Sequence, residues 1–286
     1  MTVSELDHLG QLLGERPARL HTLSGGDIAR SVRVERQDGS HVMAKFRRPG
    51  QVALTLEASM LDDLRAAGLP VPETLAVDDD ALVLAWVDGG GRGFDDEVQR
   101  AAGRAIATMH AQPVGDEFGY GHDTVMGSIP QPNAFGRDWI AFYRDRRLLY
   151  MAGLADDAGE LPSAFRHRID AVARRLGEWI DPAVQPSLVH GDLWGGNMLA
   201  TAQGGACFID PAIYRGDGEV DLALATLFGS VGPAFFEGYS EIRPLERGFM
   251  TTRRHLYQLY PLLMHVRLFG GSYHAPLDST LGKLGV

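Results

Sequence analysis

In "SLVHGDLWGGNMLA", residues 187–200, a histidine, a carboxylate and a carboxamide (His190, Asp192 and Asn197) surround a Gly-Gly pair. Two chemistries suit them. An Asp turn closed by an Asn cap would be ordinary local hydrogen bonding. In the other, the aspartate accepts a hydroxyl proton while the asparagine holds a metal ion on nucleotide phosphates, the working parts of phosphoryl transfer. The second reading needs a loop. Side chains five residues apart converge on one point on neither a helix nor a strand.

The spacing His-x-Asp-Leu-x-x-x-Asn is that of the protein-kinase catalytic loop, with Gly191 where kinases usually carry arginine. Alone it leaves the two readings level, and three further features tip the balance. Asp210, thirteen residues beyond Asn197 in "ACFIDPA", ends a short apolar strand where kinases carry a metal-binding aspartate. Lys45 lies on a predicted strand between Ala44 and Phe46, twelve residues before Glu57 on a predicted helix. A Lys–Glu pair of this kind orients α- and β-phosphates. The apolar run "LVLAWV", before a glycine-rich hinge, offers a backbone edge to an adenine. All of these elements stand in kinase order.

The elements that must position these residues follow from periodicity. Residues 4–14 are predicted helical. Val32 and Val34 alternate with charged neighbours, "QDGS" (37–40) supplies a hairpin turn, and Val42–Phe46 resumes the strand. Leu54, Ala58, Leu61 and Leu64 recur at helical spacing. Pro70 and Pro72 exclude a helix from "GLPVPETLAVD", and "ALVLAWV" (81–87) has strand length. "DGGGRG" (88–93) is the predicted boundary between an N-terminal nucleotide-binding lobe, 1–88, and a C-terminal catalytic and substrate-binding lobe, 89–286. Beyond it, helices are predicted over 95–111, 138–152 and 164–180, and 244–270 is helix-rich. The expected fold class is α+β: a two-lobed protein-kinase-like fold, with a small β-rich lobe preceding a larger, mainly helical one.

Composition narrows the class. The 286 residues are 45% hydrophobic, enough for a sizeable core, and carry a formal charge of −10 without a basic run. Nucleic acid would require a positive stripe, so it is not expected as a partner. An acidic enzyme still binds nucleotides when local lysine and a divalent cation offset the phosphates. The longest uncharged run, roughly 222–236, falls short of the ~18 apolar residues that span a bilayer, and the N-terminal stretch lacks a secretory pattern. One cysteine, Cys207, fits a reducing compartment. A soluble cytoplasmic protein with no membrane partner is expected.

"HGDLWGGN" together with "FIDPAIYRGDGEVDLALATLFG" resembles the fructosamine kinase (ketosamine-3-kinase) family of aminoglycoside-phosphotransferase-like kinases. "LSGGDIARSVRV", "EFGYGHDTVMGSIPQPN", "DWIAFYRDRRL" and "RRHLYQLYPLLMHVRLFGGSY" resemble other segments of that family, so the likeness runs from about Leu9 to Tyr273. The resemblance implies Asp192 as general base, Asn197 and Asp210 as magnesium ligands, and Lys45, positioned by Glu57, on the phosphates of ATP. It implies main-chain groups of Ala85, Trp86 and Val87 on the adenine, Trp194 packed on the sugar of the acceptor, and Asp221 bracing the catalytic loop. The implied acceptors are ketosamines, as small molecules or on glycated proteins, phosphorylated at the sugar 3-hydroxyl in a deglycation reaction.

Departures from the pattern are specific. The phosphate-covering segment has only Gly25-Gly26, with Asp27 beside them, and Ala85 stands where relatives often have glutamate. The same chemistry could serve an aminoglycoside or an amino alcohol; an aminoglycoside would call for a carboxylate-rich lining, for which the acidic stretch 154–162 is the one candidate. A non-catalytic nucleotide-binding protein is the third possibility, and the filled catalytic positions argue against it. Other residues have plainer readings. His110 is read as a core histidine, Cys207 as buried and inert, and Trp139, Phe142 and Tyr143 as core. Arg146 and Arg147 are read as a solvated or bracing pair, and His255 and His265 lack zinc-site spacing.

Overall fold

The protein is described here by a computed structural model, which covers residues 3–23, 30–91 and 93–286. Gly25, Gly26 and Asp27 lie outside the described residues. Helix α1 (Val3–Leu13) precedes strands β1 (Arg19–Thr22), β2 (Arg30–Glu35) and β3 (His41–Phe46), followed by helix α2 (Leu54–Ala66) and strands β4 (Thr74–Val77) and β5 (Ala81–Ala85). The strands form one antiparallel sheet in the order β1-β2-β3-β5-β4. Alternation decides its faces. Val32, Val34, Val42 and Ala44 point to one side and meet Leu9 of α1, while Leu82 and Leu84 point to the other and meet Leu54, Ala58 and Leu61 of α2. Strand β5 stops at Ala85, so Trp86 and Val87 lie beyond the ladder.

Helix α3 (Asp96–His110) opens the second half, and its start is written in the sequence. The Asp95 carboxylate accepts from the amides of Glu97 and Val98, and acidic residues fill the first turn. The short hairpin β6 (Thr124–Met126) and β7 (Ile129–Gln131) follows. Helices α4 (Trp139–Tyr143) and α5 (Leu149–Asp157) are joined by a π-helical turn, Arg144–Leu148, so the helix predicted over 138–152 contains one wide turn. Helix α6 (Ser163–Arg175) ends in a 3-10 turn.

Two small antiparallel pairs flank His190, Asp192, Asn197 and Asp210. Strand β8 (Ser187–Val189) leads into the His190 loop and pairs with β11 (Tyr214–Gly216), and β9 (Met198–Ala200) pairs with β10 (Ala206–Phe208). Helices α7 (Glu219–Leu227), α8 (Pro233–Ser240), α9 (Arg254–Phe269) and α10 (His274–Lys283) complete the chain. Their core includes the predicted Trp139, Phe142 and Tyr143.

The two halves are not joined by the hinge alone. Met60, Leu64 and Leu69 belong to the large helical core, so α2 packs on the sheet with one face and on the helical half with another. The Phe208 amide donates to the carbonyl of Pro70 at 2.8 Å, and the Ala202 amide to that of Asp88 at 2.9 Å. Both bonds tie the β9–β10 pair to segments that flank the sheet.

Candidate active site

Strand β3 delivers Lys45 from a register position opposite Ser31 and Leu82, and its side chain is only 6% exposed. A buried ammonium needs compensating charge. Glu57 of α2 supplies it at 2.5 Å, and Asp210 supplies a second carboxylate. Burial alone would push the Lys45 pKa down, but the two carboxylates outweigh it and raise the pKa above the ordinary lysine value. Lys45 is therefore a fixed positive charge between Glu57 and Asp210.

The loop from His190 to Asn197 is shaped by its backbone bonds. Asp221 of α7 accepts from the amides of His190 (2.7 Å) and Gly191 (2.9 Å), the bracing its resemblance implied. His110, read from the sequence as a core histidine, is buried and hydrogen-bonds Asp221 through Nε2 at 3.1 Å and the Tyr239 hydroxyl through Nδ1. His190 is fully buried, and burial outweighs the opposing pull of Asp221 to hold its pKa below the usual imidazole range. The neutral ring accepts from the Asp192 amide at Nδ1, which leaves Nε2–H to donate to the Ile209 carbonyl at 3.0 Å. One imidazole thus joins the loop of Asp192 to the segment before Asp210.

Asp192, Asn197 and Asp210 converge. The Asn197 amide nitrogen donates to the main-chain oxygen of Asp192 at 2.8 Å and to its carboxylate at 3.0 Å, and reaches the Asp210 carbonyl at 3.4 Å. Its Oδ1 is left as the acceptor. Burial pushes the Asp192 carboxyl up to about 7 despite the bond from Asn197, with Asp210 and Asp221 adding repulsion. Asp210 has φ of +54°, the one positive φ outside glycine among the described residues. Aspartate tolerates this region better than most residues, and such conformations cluster at functional sites. The Asp210 carboxylate and Asn197 Oδ1 are hard oxygen donors on converging segments, a set that suits magnesium, which takes one or two protein carboxylates and fills its shell with phosphate and water.

Of the three hinge residues, Ala85 commits its N–H to the Glu73 carbonyl, so that amide is not free for an adenine. Only its other groups and the main chain of Trp86 and Val87 remain as candidates. The Trp86 indole itself is turned toward Arg33 and His41. Trp194 is 39% exposed, beside an equally exposed Phe228 whose ring meets it edge-on at 6.0 Å. Its indole lies over Gly196, where a Cβ would come within 2.3 Å of the ring. The glycine pair after Trp194 thus seats the indole against the backbone.

Other readings resolve as follows. Arg146 and Arg147 separate: Arg146 is half-buried, while Arg147 is fully buried and braces the protein interior. Cys207 is buried, and burial pushes its thiol up to about 11. In the acidic stretch 154–162, Asp156 pairs with Arg166 at 3.6 Å. Sequence reasoning missed Thr124, Gln131 and Asn133, three fully buried polar side chains on and beside the β6–β7 hairpin. Polar residues in short apolar strands were the available signal.

An antiparallel sheet with a Lys–Glu pair, facing loops beside two short strand pairs that present Asp192, Asn197 and Asp210, is the arrangement of a kinase-type phosphotransferase that uses ATP. A family model described as "Fructosamine kinase" matches residues 2–284. A Synechocystis protein named "Probable ketoamine kinase" is 39% identical over 230 residues, covering 80% of this chain and 76% of that one. The crystal structure of a candidate fructosamine-3-kinase from Thermobifida fusca superimposes with a TM-score of 0.89 at 31% identity over 99% of both chains. The aminoglycoside phosphotransferase APH(4)-Ia, solved with AMP-PNP and hygromycin B, shares the fold, with a TM-score of 0.68 at 15% identity over 99% of this chain and 97% of that one. The chain belongs to the fructosamine kinase family, whose activity is that of a sugar-amine kinase. Among the described residues no helix is long and apolar enough to cross a membrane.

Proposed function

We propose that this kinase transfers the γ-phosphoryl group of ATP to the 3-hydroxyl of a ketosamine sugar, within an N-terminal nucleotide lobe (1–88) and a C-terminal catalytic and acceptor lobe (89–286). The product adduct is unstable, so the reaction serves deglycation of lysine or protein amines. Asp192 takes the hydroxyl proton. The convergence of Asp192, Asn197 and Asp210, joined through the Asn197 amide, carries this reading, and the raised carboxyl pKa of Asp192 agrees with a base matched to proton transfer. Lys45 holds the α- and β-phosphates, with Glu57 fixing its ammonium. Asp210 and Asn197 would hold magnesium, which when bound neutralises charge on the β- and γ-phosphates. Main-chain groups at Ala85, Trp86 and Val87 face the adenine. The exposed Trp194 indole packs on the C–H face of the sugar, beside the base. The protein works in the cytoplasm.

ADP release across an acceptor panel tests this. Ribulose-lysine or fructose-lysine, free or on a glycated protein, should be phosphorylated, while kanamycin and choline should be poor acceptors. Trp194→Ala should raise KM for the ketosamine more than for ATP. Turnover of kanamycin with none on ketosamines would overturn the acceptor while leaving the phosphoryl chemistry in place.

A further inference from the structure

The turn after Asp210 is held from behind by a buried polar network that none of the roles above uses. Gln131 at the end of β7 is fully buried. Its Nε2 donates to the Ala212 carbonyl at 3.0 Å and to Thr124 Oγ1 at 2.9 Å, and its Oε1 accepts from the Tyr260 hydroxyl at 3.0 Å. The Thr124 hydroxyl donates to the Ile213 carbonyl at 3.3 Å and also accepts from Asn133 Nδ2 at 2.8 Å. Asn133 Oδ1 accepts from Arg147 at 2.6 Å, and Arg147 donates as well to the Pro132 carbonyl. The Arg147 guanidinium makes no ion pair among the described residues and lies over the rings of Tyr214 (4.0 Å) and Phe142 (4.9 Å). Every polar valence of the Gln131 amide nitrogen is used, which makes the orientation of this side chain unique.

The target of that orientation matters. Ala212 stands two residues after Asp210 and donates its N–H to the His190 carbonyl at 2.8 Å, two residues before Asp192. Its own carbonyl is the atom against which Gly191 is packed. The Ala212 peptide is therefore the spacer between Asp192 and Asp210, and Gln131 grips it on the carbonyl side. Asp210 keeps a positive φ that its surroundings must enforce.

We propose that Gln131 is a positioning residue for phosphoryl transfer: it fixes the Asp210–Pro211–Ala212 turn against the catalytic loop and thereby sets the separation of base and metal ligand. Tyr260 acts through it by orienting its amide. This rests on the roles proposed above for Asp192 and Asp210.

Gln131→Met keeps the length of the side chain and removes its polar amide. With ribulose-lysine as acceptor, kcat should fall about 10- to 100-fold, the scale of a small misplacement of reacting groups. The magnesium concentration for half-maximal rate should rise, and KM for the acceptor should stay within about twofold. Tyr260→Phe removes only the orienting hydroxyl and should give a smaller change in the same direction. The double variant should be no slower than Gln131→Met alone, because both changes break one linkage. A lowered Tm with unchanged kcat and magnesium midpoint, or multiplicative losses in the double variant, would overturn the proposal. If Gln131→Met does not fold, Tyr260→Phe with wild-type kcat and magnesium midpoint overturns it alone. Slow ATP hydrolysis without acceptor, measured in parallel, keeps the test valid if the acceptor is wrong. Wild-type turnover by Asp192→Asn would show instead that the underlying assignment of the loop had failed.

Discussion

The backbone of Gly191 lies so close to Ala212 that a Cβ on it would stand 1.9 Å from the Ala212 carbonyl oxygen. Gly191 also has φ of +81°. Contact and conformation both require glycine at the position where kinases usually carry arginine. Gly191→Ala combines backbone strain with overpacking and should cost about 2–5 kcal/mol. Thermal unfolding and activity measured on the same sample should fall together.

Asp192→Asn should lower kcat by about 10²–10⁴ and leave nucleotide affinity nearly unchanged, as measured by single-turnover kinetics and calorimetry.

The same variant has a pH signature. The folded pKa of Asp192, about 7, lies above that of an unfolded aspartate, so the folded state holds this proton more tightly. The stability this contributes is complete below the unfolded pKa and is lost as pH rises through 7. Asparagine does not titrate. Without nucleotide or metal, Asp192→Asn should therefore have the higher Tm at pH 8, and the gap should shrink as pH falls toward 4. A gap that widens on acidification would contradict the raised pKa of this carboxyl.

Lys45→Met strands the Glu57 carboxylate, which is 17% exposed, without its main partner. Breaking a buried pair from one side costs about 3–5 kcal/mol, whereas replacing both charges is far milder. Lys45→Met should unfold more readily than Lys45→Met with Glu57→Gln in urea denaturation. Both variants should lose ATP affinity.

Asp210→Asn preserves the side chain best suited to a positive φ while removing the charge. It should weaken Mg-ATP binding by calorimetry and leave adenosine binding almost intact. Equal loss of both ligands would indicate a collapsed cleft.

Local pattern made much of this protein legible. The spacing of His190, Asp192 and Asn197 is read within one loop, and Lys45 and Glu57 sit on adjacent elements whose faces alternation and helical period assign directly. The same periodicities placed Val32, Val34, Leu54, Ala58, Leu61 and Leu64 in the core, and all are buried. Trp194 and the glycines around it form another local unit.

Tertiary structure decided which distant groups those loops lean on. His110 and Asp221, 111 positions apart, meet beneath the catalytic loop, and Gln131 reaches Ala212 across 81. Arg146 and Arg147 are alike in sequence, yet one π-helical turn sends Arg147 among the rings of Phe142, Tyr214 and Tyr260 and leaves Arg146 half-buried. No period of two or 3.6 residues encodes such meetings. They arise when packed helices and short strands enclose polar atoms that have lost water and must find whichever partner the fold has brought within 3 Å.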